Sequence, residues 1–262
     1  MNHCLKTTLL SCLLLLLSID MMAQHKNNEL EFAFGSANGL IKDEVFSPLN
    51  YKSSGGTLSL YYSRNTKNDH LFLLSVDLQT LEMSTNVSDQ FGSDLVKLNM
   101  EAAYLFRLNS TDFRNTSIFL GVDFHSNGNL ITYEDEYTLS SSGTYVSHRG
   151  IGIQALASRA FKKNAVDLRV KLPVIGKVYR SPYNQFTKTM NDEQLFAFIY
   201  TNGDFGAIHN FLNPSVAASI SRPLIGKLDL RLGYEIEYLK STVYQPITNF
   251  QGRFLIATSF KF

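Results

Sequence analysis

The chain has no tryptophan, only two cysteines among its 262 residues, and no apolar run approaching the roughly 20 residues that a membrane-spanning helix needs. Both cysteines, Cys4 and Cys12, lie near the start, so the rest of the chain can carry neither a disulfide nor thiol chemistry. An excess of charge of one sign is lacking too: 24 Lys and Arg stand against 23 Asp and Glu. That balance leaves no electrostatic footprint for nucleic acid, and no nucleic-acid partner is expected.

What is present begins with Lys6, a nearly uninterrupted apolar stretch from Leu9 to Ile19, and then Met21-Met22-Ala23-Gln24. A positive head, an apolar centre and a small residue make a secretory signal, with cleavage expected after Ala23. Residues 1–23 are therefore read as a signal peptide and 24–262 as one domain. Leu9-Leu10-Ser11-Cys12 is faintly like a lipoprotein cleavage box, but the apolar centre continues to Leu17, so lipidation of Cys12 is not expected.

From Asn28 onward the dominant period is two, the alternation of a strand with one apolar face. Between Val96 and Leu108 the even positions are Val, Leu, Met, Ala, Tyr, Phe and Leu, while Lys97, Asn99, Glu101 and Arg107 lie on the other face. Ten such segments can be counted, near 28–36, 55–64, 70–84, 94–108, 116–127, 145–161, 165–174, 211–221, 227–241 and 250–262. Their links are expected to alternate in length, starting with a long one over 37–54 and a short one over 65–69, as periplasmic turns and outer loops do. A soluble β-sandwich also alternates, but several of these strands are long enough to cross a bilayer obliquely. Their polar faces carry full charges, and Tyr61, Tyr62, Tyr104, Phe106, Phe161, Tyr234 and Tyr238 suit aromatic girdles.

The last segment sets Phe254, Ile256, Thr258, Phe260 and Phe262 against Arg253, Leu255, Ala257, Ser259 and Lys261, and ends on an aromatic. This resembles the closing strand of Gram-negative outer-membrane β-barrel proteins. The expected fold is all-β: a single antiparallel up-and-down transmembrane barrel of ten strands in the cell outer membrane. The resemblance implies outer-membrane lipid and lipopolysaccharide as surroundings and the barrel-assembly machinery as a transient partner. It implies no particular function, because barrels of this size include pores, proteases, lipid A hydrolases and adhesins.

Phe124-His125-Ser126-Asn127-Gly128 is the most suggestive short string, being similar to the His-x-Ser-Asn string of lipid A deacylases. The intervening residue is missing, so His125 and Ser126 should point to opposite faces. Asp123 and His125 share the inward face, and with His148 and His209 they make a candidate acid–base cluster at the mouth. Glu134-Asp135-Glu136 and Asn191-Asp192-Glu193 offer oxygen atoms but lack the spacing of a calcium loop. These strings are better read as an ordinary strand end and solvated loop charge. No catalytic, cofactor or metal site is assigned.

The inward face is expected to hold Lys97, Arg107, Arg169, Lys171, Arg231, Arg253 and Lys261 against Asp77, Glu101, Asp123, Asp167, Asp229, Glu235 and Glu237. A selective pore lines its path with one sign, whereas balanced charges pair and fill a narrow lumen. The stretch 175–210, rich in Tyr and Phe, is a candidate partner surface. Within it, Leu195–Tyr200 and Phe205–Phe211 flank Asn202-Gly203, and would raise the count to twelve if this hairpin joined the wall. The sequence thus points to a structural or binding scaffold or a narrow transport barrel, with a hydrolase at the outer rim as the alternative. On the last strand, a charge at Ile256 is expected to be costlier than Arg253→Gln.

Overall fold

A computed structural model describes residues 28–45, 47–66, 69–85, 91–108, 116–135, 140–180, 203–243 and 245–262. The signal segment lies outside them. The elements are β1 (Asn28–Asp43), β2 (Ser47–Asn65), β3 (Leu71–Ser84), β4 (Phe91–Leu108), β5 (Thr116–Asp135), β6 (Ser140–Phe161), β7 (Asn164–Arg180), β8 (Asp204–Ala207), β9 (Phe211–Leu212), β10 (Ser215–Ile225), β11 (Leu228–Ser241) and β12 (Ile247–Lys261). From β1 to β7 each strand pairs antiparallel with the next, β7 pairs with β10, and β12 returns to β1. The ten long strands therefore close into an up-and-down barrel, and β8 and β9 are two short additions.

Strand faces follow from the alternation in the sequence. Phe32, Phe34, Leu58, Val76, Leu78, Phe106, Val122, Phe124, Ile153, Leu168, Val216, Leu232, Phe254 and Phe260 all point outward and are exposed, forming an apolar band around the whole circumference. Only lipid removes such a band from water. On β12, Phe254 and Phe260 face outward while Arg253, Leu255 and Ala257 are buried inside, as the terminal alternation implies. Tyr61 departs from its expected place in a girdle. It faces the lumen and its hydroxyl donates to Asp77 at 3.0 Å, because adjacent Tyr61 and Tyr62 must point to opposite faces.

The strict alternation of link lengths does not survive. Residues 37–43 and 47–54, expected in a long loop, are wall, so that only 44–46 separate β1 from β2. The physical reason is a change of phase rather than a loss of period. Beyond the lipid band the outward positions turn polar, as at Asn38, Lys42 and Lys52, while the inward ones turn apolar, as at Ala37, Ile41 and Tyr51. Such a strand still buries one face, but the other face now meets water. At about 3.3 Å per residue, the 22 residues of β6 rise roughly 50 Å at a 45° tilt, about twice the ~25 Å apolar band. The excess projects at the end opposite the two-residue turns 162–163 and 226–227. In barrels of this class the short turns are periplasmic, so the projection is extracellular.

One seam is built differently. The β7–β10 ladder covers only Ala165–Lys171 against Ser215–Ser221. Farther out, β7 pairs with β8 and β11 with β9, joined through Asn210. The Asn210 side chain accepts from the Ala207 amide at 2.8 Å, and its backbone carbonyl accepts from the Thr242 amide at 2.9 Å. The expected hairpin thus enters the wall only in part, through 204–212, while its first arm lies outside the described residues.

Candidate functional site: a filled outer lumen above an inner cavity

The inward side chains are arranged in tiers. Nearest the outside, Ala37, Ile41, Tyr51, Leu81, Met83, Leu95, Ile131, Tyr133, Val146, Val178, Phe211, Leu239 and Ile247 form one apolar cluster. β10 does not reach this height, and β9 supplies Phe211 in its place. Within this tier Asp43 and Arg180 are ion-paired, both fully buried. Thr144 donates to Asp43 at 2.7 Å, and Arg180 Nε donates to the Gln245 carbonyl at 3.0 Å. The pair ties β1 to β7 across the lumen.

Charged tiers lie beneath. Lys97 donates to Glu237 at 2.5 Å and to Gln251 at 3.1 Å. Arg253 meets Glu235 at 2.6 Å and Asp77 at 3.0 Å, with Arg169 3.6 Å from Glu235. Lys171 pairs with Glu101 at 2.7 Å. The expected pairing of inward charges is therefore met. Arg107 is the outlier: it reaches Asp69 at 2.8 Å on the exposed turn between β2 and β3 rather than a partner in the lumen.

Three of the four candidate acid–base residues come together. Asp123 Oδ1 lies 2.5 Å from His125 Nδ1, and His125 Nε2 lies 2.8 Å from His148 Nδ1. Phe211 stacks on the far side of His148 at 4.0 Å. Glycine makes the space: a Cβ on Gly152, opposite Asp123, would sit 2.4 Å from its Oδ2, and one on Gly176 would sit 2.8 Å from His148 Nε2. His209 is exposed on the turn after β8 and takes no part. His125 is buried and Ser126 is half-buried on the opposite face of β5, as their adjacency requires. The cavity beside Asp123 and His125 has a volume of about 30 Å³, room for one or two waters and for no acyl chain or peptide. Glu134 and Asp135 end β5, whereas Glu136 and 191–193 lie outside the described residues.

A larger cavity, about 390 Å³, occupies the periplasmic half of the lumen. Its walls differ. Leu71, Leu73, Phe119 and Leu156, on the arc from β3 to β6, form an apolar wall backed by Ala103 and Leu105. On the facing arc, Arg231 lies 2.7 Å from Glu31 and 3.6 Å from both Glu29 and Asp167, and Lys261 pairs with Asp229. Lys261 and Arg231 are partly exposed, so among the described residues this cavity is reached from the end carrying the short turns. Sequence reasoning assigned Arg231, Lys261, Asp167 and Asp229 to the lumen but missed Glu29 and Glu31 on β1, the apolar wall and the outer plug. The signal of wall and plug was the parity of Leu71, Leu73, Leu81 and Met83, all odd like Asp77.

No family model and no curated protein matches the chain. Among solved structures it is similar to the outer-membrane protease OmpT of Escherichia coli, with a TM-score of 0.60 and 7% identity over 90% of this chain and 97% of that one. It also matches the translocator domain of the autotransporter NalP of Neisseria meningitidis, with a TM-score of 0.47 and 11% identity over 98% and 96% of the two chains. At 7% identity the likeness to OmpT is one of fold. Together with the closed wall and the lipid-facing band, it makes this chain an outer-membrane β-barrel.

Proposed function

We propose that the protein is a non-conducting outer-membrane barrel that serves as a binding scaffold, closed toward the outside. The observation that carries this reading is the apolar cluster filling the outer lumen, in which Ile41, Leu95, Ile131 and Val146 converge around the buried Asp43–Arg180 pair. A diffusion pore needs a continuous wet path, and an apolar constriction blocks ions by excluding water. The charged tiers below are internally paired rather than lined with one sign.

The hydrolase alternative would rest on Asp123 and His125, which do make contact. Their nucleophile is the missing part. Ser126 points to the other face, and the imidazole is occupied by His148 beneath Phe211. The test is planar-bilayer recording of purified full-length protein. Silence is expected from the parent, with conductance appearing when Leu95 and Ile131 are both changed to Ser. Stable porin-sized conductance of the parent would refute the reading.

A further inference from the structure

We propose that the inner cavity binds a small amphiphile with a cationic amino head and one apolar arm, entering from the periplasmic side. The inference deepens the scaffold reading and rests on it in one respect: a barrel closed above makes this space a cup rather than a passage. Its 390 Å³ fall within the range of about 300–1,000 Å³ typical of small-molecule sites, too little for a lipid with several acyl chains.

Charge selects the head. Deeper in the lumen, Asp77 and Glu235 are matched by Arg253 and Arg169, and Glu101 by Lys171. At the mouth, among the described residues, the carboxylates of Glu29, Glu31, Asp167 and Asp229 outnumber by two the cations paired with them, Arg231 and Lys261, and Arg169, the next cation in reach of Glu31, is already held by Glu235. One guanidinium is shared among three acids, and at 3.6 Å its contacts with Glu29 and Asp167 exceed hydrogen-bond length. An ammonium group can supply the donors these carboxylates lack, whereas an anion meets repulsion. The facing wall of Leu71, Leu73, Phe119 and Leu156 selects the arm, since it offers apolar surface and no hydrogen bond. Head and arm are thus held on opposite sides of one cavity, which a purely ionic or purely apolar ligand does not satisfy.

The experiment compares three matched probes, 4-phenylbutylamine, 4-phenylbutanol and 4-phenylbutyrate, by calorimetry on the full-length barrel in lipid nanodiscs. The amine is expected to bind saturably at one per barrel, the alcohol at least tenfold more weakly, and the acid not measurably. Glu31→Gln combined with Asp167→Asn should weaken the amine at least tenfold and leave the alcohol unchanged. Should that double variant not fold, Leu73→Ala replaces it and must weaken amine and alcohol alike. Equal binding of amine and acid, or an amine affinity untouched by the variants, overturns the proposal. Bilayer recording separates the two readings. A silent parent that ignores the amine refutes this inference alone, and a conducting parent that binds it refutes the closed scaffold while supporting the site.

Discussion

The two halves of the lumen share nine of their strands, with the short β9 standing in for β10 in the outer half, yet one is filled and the other is hollow. Along β3 the inward residues run Leu71, Leu73, Ser75, Asp77, Gln79, Leu81 and Met83: apolar at both ends and polar between. The outer end buries its apolar side chains against those of every neighbouring wall, while the inner end keeps Leu71 and Leu73 beside an open space. The difference teaches that inward-facing apolar residues make a plug only where they meet from all sides. Facing a charged arc, the same residue type lines a pocket.

The largest effect is expected in the outer half. Asp43→Asn strands the fully buried Arg180 without its counter-charge and should cost about 3–5 kcal/mol. Denaturant unfolding in detergent, followed by heat-modifiable gel mobility, reads it; a cost below about 1 kcal/mol would show the pair to be solvated. Truncating the plug comes next. Leu95→Ala should destabilise by about 2–5 kcal/mol, whereas Leu73→Ala beside the inner cavity should cost distinctly less because it already borders free space. Equal losses in the same assay would erase the contrast between the halves.

The lipid face sharpens the comparison from outside. Ile256→Arg should cost about 2–4 kcal/mol near the bilayer midplane. The expectation that Arg253→Gln would be milder is revised, because Arg253 is buried between Asp77 and Glu235 and its loss leaves Asp77 without its ion pair and Glu235 with only the longer contact to Arg169. Arg253→Gln should therefore match or exceed Ile256→Arg, and a milder result in parallel unfolding titrations would mean that water reaches this tier. The smallest effect belongs to the rim: Arg107→Ala breaks a pair whose side chains are 42% and 70% exposed, and should change stability by about 0–1 kcal/mol.

Period two, joined to strand length and the aromatic closing strand, pointed to a barrel, and period two alone determined which face of β12 meets lipid and that inward charges of both signs share the lumen. Even the separation of His125 from Ser126 follows from adjacency in a strand. Alternation is a local property, imposed by the pleat on each residue in turn, and it can be read without knowing any partner. Only the tertiary structure decided where the strands end, since Ala37 and Ile41 are recognisable as wall only once Tyr51, Leu81 and Ile247 are seen to enclose them. It also brought together Asp43 and Arg180, 137 positions apart, and placed the carboxylates of β1, β7 and β11 opposite the leucines of β3 and β6. Which inward residues meet across a lumen depends on closure, register and shear, and these are properties of the ring of strands rather than of any one of them.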